Sequence, residues 1–238
     1  MTSVIRLKSD FLDYYDHWFS GSWQKPDIVF SRNTTDGLLR PAMFQQMEAW
    51  GLKLPRHGIV KHLYPKLIAE APVENAALID EWARTLCEVV VYTDTSAHAG
   101  EGKIKVSLAD ALENYPSHFA SEHIPALANG CGQSLRYLRI GSRQFWLRYT
   151  STNDWRSNCG DVTIEVLCEE KPKTSSELAL DKANHPLFAV DFVRGRELYA
   201  VDFNVAPGLK GSGIEELISS EEVYKEISDW LNQYKEVK

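Results

Sequence analysis

The sequence predicts an α+β fold whose sheets are antiparallel and rich in hairpins. Two pairs of apolar runs carry that prediction. Residues 135–140 and 144–150 flank the turn Gly141-Ser142-Arg143, and residues 189–194 and 198–205 flank the polar turn Gly195-Arg196-Glu197. Apolar runs joined through such turns are hairpin signals. The third observation is bulk composition. The chain has 238 residues, 44% of them hydrophobic and 25% charged, which suits a soluble globular protein with one large domain or two small ones.

Each element follows from local chemistry. Residues 9–23 are crowded with Phe11, Tyr14, Tyr15, Trp18, Phe19 and Trp23 and read as a helix capped by Asp10, either packed on the core or presented to a partner. Ile28-Val29-Phe30 reads as a strand, followed by the turn-like Asn33-Thr34-Thr35-Asp36-Gly37. Residues 41–50 form a helix with Pro41 near its start and Gly51 at its stop, and Met43, Met47 and Trp50 on its inner face. Gly58, between His57 and His62, predicts a loop or turn. Residues 73–87 read as a helix, 87–92 as a strand, and 93–102 as a loop of small and polar residues. Strand alternation resumes at 103–106, and Ser107 caps a helix over 108–114. A strand at 119–124 precedes the central hairpin, and a polar loop at 152–161 leads from that hairpin to a strand at 162–167. Ser175-Ser176 marks a helix start, Gly211-Ser212-Gly213 a linker, and Val223, Ile227, Trp230 and Leu231 the apolar stripe of a C-terminal helix.

Charge and cysteine usage exclude several function classes. A net charge of -7 opposes non-specific nucleic-acid binding, which needs a basic face. No apolar run reaches the length of a membrane span, and residues 1–6 lack a signal-peptide core, so cytoplasmic residence is expected, with neither nucleic acid nor membrane as partner. Cys87, Cys131, Cys159 and Cys168 form no C-x-x-C pair and are expected to be reduced structural thiols.

The chemistry concentrates in the last hairpin. Asp202 and Asn204 are two residues apart on a strand and share a face, and a plausible register brings Asp191 beside them. Two carboxylates and an amide oxygen on a half-buried sheet suit a hard cation such as Mg²⁺, which commonly shares its ligands with nucleotide phosphates. The alternative is an ordinary hairpin with solvated aspartates on its outer face.

Five segments, in order and at comparable spacing, resemble motifs of the ATP-grasp ligases of the RimK-type, glutathione-synthetase-like branch. Ser121-Glu122-His123-Ile124 is similar to the hinge strand, and Ser134-Leu135-Arg136-Tyr137-Leu138-Arg139-Ile140-Gly141 to D-x-R-x-x-x-x-G. Trp155-Arg156-Ser157-Asn158 is similar to aromatic-R-x-N, Ala189-Val190-Asp191 to G-V-D, and residues 201–209 to E-V-N-x-x-P-G-L. The resemblance implies two lobes with antiparallel sheets around a nucleotide cleft, after an abbreviated N-terminal strand-helix unit. It divides the chain at 1–60 for that unit, 61–118 for a small lobe and 119–238 for a metal-binding lobe.

The resemblance also implies roles. ATP and two Mg²⁺ ions are the expected cofactors, with Asp191 and Asn204 each holding one ion and Asp202 bridging them. Arg156 would stabilise the transferring phosphoryl group and Asn158 would add a hydrogen bond, as the catalytic pair. Glu122 and Ile124 would meet the adenine, and Arg136, Lys103 and Lys105 would complete the cofactor site. Residues 93–102 would form a flap over the phosphates. The implied activity is an ATP- and Mg²⁺-dependent carboxylate ligase, making an amide or ester through an acylphosphate on a peptide or small molecule. A homodimer is common in such folds. The sequence departs from the family at Ser121, Ser134 and Asp202, and offers Tyr92 where a phosphate-binding lysine is expected. Lys103 or Lys105, or else Lys61 or Lys66, would have to compensate. A fold of this kind that has lost its lysines would be a non-catalytic nucleotide- or protein-binding module, so the lysine positions separate the two readings.

Overall fold

The computed structural model describes residues 3–6, 28–31, 39–72, 75–97, 100–168, 180, 186–204, 207–209 and 211–236. The expected aromatic helix at 9–23, the turn at 33–37 and the helix start at Ser175-Ser176 lie outside these residues. Strands β1 (Ser3–Arg6) and β2 (Ile28–Ser31) pair in parallel as a separate two-stranded sheet. Helix α1 (Arg40–Ala49) carries Pro41 in its first turn, where the missing N–H is harmless, and ends before Gly51 at φ 84°.

The small sheet has the order β3-β6-β4-β5 and is antiparallel throughout, with β3 His57–Ile59, β4 Glu88–Tyr92, β5 Lys103–Ser107 and β6 Phe119–Glu122. Gly58 therefore lies in a strand and not in the expected loop. Helix α2 (Val60–Ala69) follows directly, although Pro65 sits inside it. Pro65 removes one helical hydrogen bond, and burial of Val60, Leu63 and Leu67 along one face compensates. Helix α3 (Ala76–Thr85) is capped by Asn75, and α4 (Leu108–Asn114) by Ser107, whose hydroxyl accepts from the Asp110 N–H. These three helices and Val89, Val91 and Ala120 form one core. Strand β6, which the sequence resemblance assigns to the second lobe, pairs with β3 and β4 in this sheet.

The large sheet has the order β11-β10-β7-β8-β9, also antiparallel, with β7 Gln133–Ile140, β8 Arg143–Ser151, β9 Val162–Cys168, β10 Leu187–Arg194 and β11 Leu198–Asn204. One face packs Leu138, Ile140, Phe145, Leu147, Leu187 and Ala189 under helix α5 (Ser220–Glu236), with Val223 and Ile227 buried there. The β7–β8 turn requires glycine. Gly141 has φ 58°, and a Cβ there would run into the backbone carbonyl of Glu226 in α5. Gly141→Ala is expected to cost about 1–3 kcal/mol of stability; a denaturation midpoint equal to that of the parent chain would show that the helix yields instead.

Helix α1 joins the two sheets. Phe44 meets Phe119 and Tyr92 of the small sheet edge-on, with ring centroids 5.3 and 6.2 Å away, and Trp50 meets Phe203 of the large sheet edge-on at 4.7 Å. The following chain covers the open edge of β11, where Ala200 N–H donates to the Lys53 carbonyl at 2.8 Å. A cleft remains between the sheets. Its walls come from β4, β5, the hinge after β6, the loop 152–161 and the β10–β11 hairpin.

Candidate functional site

The β10–β11 register places Asp191 directly opposite Asp202, and Ala189 opposite Asn204. All three polar residues thus share one sheet face. On β10 this is the face that carries Leu187 and Ala189 under α5; Asp191 comes one step further along it. A bulge sits here: Asp191 pairs with Asp202 but Phe192 pairs with Ala200, leaving Val201 as the extra residue. Bulges re-aim side chains beside functional sites, and both Val201 and Asp202 line the cleft together with Asp191 and Val193. The cleft is open to solvent, with about 840 Å³ of empty space when its mouth is included.

Each aspartate already has a guanidinium partner. Arg136, opposite Asp191 in the β7–β10 register, grips it as a fork: Nε donates to Oδ1 at 2.7 Å and Nη2 to Oδ2 at 2.8 Å. Its Nη1 donates to the Tyr149 hydroxyl at 3.2 Å. Burial opposes the charge of Arg136, and the Asp191 carboxylate overcomes that and raises its pKa. Asp202 is engaged by Arg40 of α1, whose Nη1 donates to Oδ1 at 2.6 Å. Burial pushes the Asp202 pKa up, but Arg40 and then Lys103 more than reverse it, so the carboxylate is held below its usual range. Arg40 is the partner of Asp202 that sequence reasoning misses. It lies 162 positions from its partner, and no local motif marks it.

Lys103 lines the cleft at the start of β5. Its ammonium makes no ion pair among the described residues and sits 5.8 Å from the Trp155 ring centre. Burial lowers its pKa, while Asp202 supports the charge. The other candidate lysines are elsewhere. Lys105 does not line the cleft and pairs with Glu88 at 3.3 Å, and Lys61 and Lys66 lie exposed on α2.

The remaining expected residues divide similarly. Ile124 and Asn158 line the cleft. So does Glu122, but its carboxylate is committed to Arg56, which donates from Nε at 2.9 Å and Nη2 at 2.8 Å. Arg156 reaches the cleft wall, yet all three of its nitrogens are occupied. Nε and Nη2 fork onto Asp154 at 2.9 and 2.7 Å, and Nη1 donates to the Gly100 carbonyl at 2.9 Å. The expected phosphate ligand is therefore a strut between loop 152–161 and loop 93–102 in this structure. A Cβ at Gly100 would come within 2.6 Å of Cys159 Sγ, so that docking is close. Arg136 and Asn204 are absent from the cleft lining, although both flank it on the Asp191–Asp202 face. All four cysteines are reduced thiols, and burial raises Cys87 to about 11.

The donor chemistry fits a hard divalent ion. A carboxylate offers about four acceptor positions; Arg136 takes two on Asp191 and Arg40 one on Asp202. Asp202 Oδ2 accepts no hydrogen bond among the described residues, and the side chain is 32% exposed, toward the cleft. Among those residues no cluster of three His, Cys, Asp or Glu side chains forms a metal site. An ion here would complete its coordination with oxygens of water or of a bound ligand.

No family profile and no curated protein matches the sequence. Solved structures do. The ATP-grasp ligase PsnB, complexed with a phosphomimetic variant of its minimal precursor, Mg and ADP, aligns with a TM-score of 0.53 at 13% identity, over 91% of this chain and 65% of that one. The fold is that of the ATP-grasp ligases. PsnB with its minimal precursor aligns at 0.53 and 14% identity, over 94% of this chain and 67% of that one. A Chryseobacterium gregarium RiPP-associated ATP-grasp ligase, in complex with ADP and a leader and core peptide, gives 0.50 and 13%, over 94% and 68%. The chain spans about two thirds of the length of these structures. Its two antiparallel sheets flank one cleft, the arrangement that the sequence resemblance implies for the fold.

Proposed function

We propose that the cleft binds ATP and that the chain is an ATP-dependent carboxylate ligase acting on a peptide. The observation that carries this reading is the Lys103 ammonium, uncommitted and turned to the cleft beside the opposed Asp191 and Asp202. A half-buried ammonium with no ion pair among the described residues favours an anionic ligand, and the likeness of the fold suggests a nucleoside triphosphate. Val90, Ile124, Leu127 and Val201 give an apolar wall for the base. In the reaction, a substrate carboxylate oxygen attacks the γ-phosphorus and ADP leaves. A nucleophile then attacks the acyl carbon of the acylphosphate, loses its proton, and releases phosphate with formation of an amide or ester. Such transfer needs positioning and charge stabilisation more than covalent help from the protein. Asp202, Asp191 and Asn204 would hold Mg²⁺, which when bound neutralises phosphate charge. The peptide substrate is suggested by the structural neighbours, whose complexes contain precursor peptides.

A second reading, a nucleotide-binding module without catalysis, is favoured by one observation: Arg40 and Arg136 neutralise both aspartates before any ligand arrives. A thermal-shift series separates the two. With ATP and Mg²⁺ at about 100 times the dissociation constant, stabilisation of about 2.7 kcal/mol is expected, a rise of about 5–11 °C for a chain of this size. ATP with a chelator should give no comparable rise. An equal rise in the chelator would overturn metal dependence, and no rise with any nucleotide would overturn nucleotide binding.

A further inference from the structure

The two arginines on the aspartate pair are not equivalent. Arg136 is a bidentate fork on Asp191 with a third hydrogen bond to Tyr149. Arg40 touches Asp202 through one nitrogen only. Its other contacts among the described residues are uncharged: the Met43 thioether at 3.5 Å, the Ala97 carbonyl at 3.3 Å, and the face of Tyr92, 5.5 Å from the ring centre. Charge-assisted forks are stronger and more specific than single contacts. Asp191 is thus clamped, while Asp202 is held by a group that can let go.

We propose that Arg40 is an exchangeable counter-ion: it occupies Asp202 in the empty cleft and passes to the phosphates when a metal-nucleotide complex binds. It is a positioning residue, and the inference rests on the reading of the cleft as a nucleotide site. Three features make the exchange physically reasonable. A divalent ion at Asp202 would stand beside the Arg40 charge and repel it, removing the reason for the contact. The triphosphate supplies a new anion at the same moment. Arg40 is also attached to the loop over the cleft, since its own N–H donates to the Thr95 carbonyl at 3.0 Å and its Nη2 to Ala97. Moving the guanidinium would therefore couple the charge change at Asp202 to residues 93–97. Arg40 also stacks on Tyr92, the position where the family resemblance expects a phosphate-binding lysine, so a cation is supplied there from another element.

The exchange predicts effects of opposite sign from one substitution. In Arg40→Gln, Asp202 loses its competitor, so Mn²⁺ alone, followed by water-proton relaxation, should bind at least tenfold more tightly than to the parent chain. Mg²⁺-ATP, followed by calorimetry, should bind at least tenfold more weakly, because the phosphates lose a cation. A merely structural role would weaken both together. Arg40→Lys, with a shorter reach to Asp202, should move both affinities in the same directions by less. Unchanged or weaker Mn²⁺ binding overturns the proposal. So does failure of both variants to fold, which would make Arg40 a fixed strut. The Mn²⁺ measurement decides the hold of Arg40 on Asp202 even if the parent chain takes no Mg²⁺-ATP, a result that would defeat the nucleotide reading separately.

Discussion

Arg136→Met is expected to lower the unfolding free energy by about 3–5 kcal/mol, the usual consequence of stranding one member of a buried ion pair. Asp191 is 17% exposed and both of its oxygens accept from Arg136. Methionine would fill most of the volume but leave the carboxylate without charge compensation inside the sheet. For a chain of this size the loss corresponds to about 6–20 °C in Tm. Asp191→Asn in the same chain should recover much of it, because the stranded charge is then gone. Arg148→Met is the control. Its pair with Glu165 at 3.1 Å is exposed on both sides, and such pairs contribute about 0–1 kcal/mol. Equal losses for the two arginine variants would show that the Asp191 pair is solvated in practice. The sign of any ligand effect is also informative: Mg²⁺-ATP should stabilise the Arg136 variant more than the parent if an ion lies on Asp191.

The hairpins were readable because their signals are local. Gly141-Ser142-Arg143 and Gly195-Arg196-Glu197 sit between apolar runs of strand length, and β7–β8 and β10–β11 form there. The Ser107 cap and the helix after it were equally local. Helix α2 was not, because Pro65 and Gly58 are breakers whose effect is overridden by tertiary burial of Val60, Leu63 and Leu67. Strand β6 carries the hinge motif, yet its sheet is decided by pairing with β3 and β4, which no local pattern reports.

The site divides along the same line. Alternation put Asp191, Asp202 and Asn204 on one face, and the register delivers that arrangement with a bulge that alternation alone does not contain. Of the four lysines considered, spacing could not choose; the fold turns Lys103 into the cleft and leaves Lys105 with Glu88. Motif logic gave Arg156 a ligand role, but Asp154, two residues before it, takes the fork in this structure. Arg40 was invisible because its meaning depends on α1 docking against both sheets, a property of the whole core.

Asp202→Asn is expected to weaken Mg²⁺-ATP binding by at least about 100-fold, roughly 2.8 kcal/mol at 1.4 kcal/mol per decade, while the chain remains folded. The amide keeps the shape and one acceptor but not the negative charge that a dication requires. The structure adds a second expected effect. Arg40 is 3% exposed, and Asp202 is the carboxylate it touches among the described residues, so the substitution strands a buried guanidinium. A stability loss of about 3 kcal/mol should accompany the loss of binding. Combining Asp202→Asn with Arg40→Gln separates the two. Removing both charges should restore most of the stability, since a satisfied neutral pair replaces a broken ionic one, and should leave binding abolished. The double-mutant cycle thereby distinguishes a site lost through its ligand from a site lost through its fold. Calorimetry that finds unchanged Mg²⁺-ATP affinity in the single variant would remove Asp202 from the site and with it the reason for placing the phosphates between the two sheets.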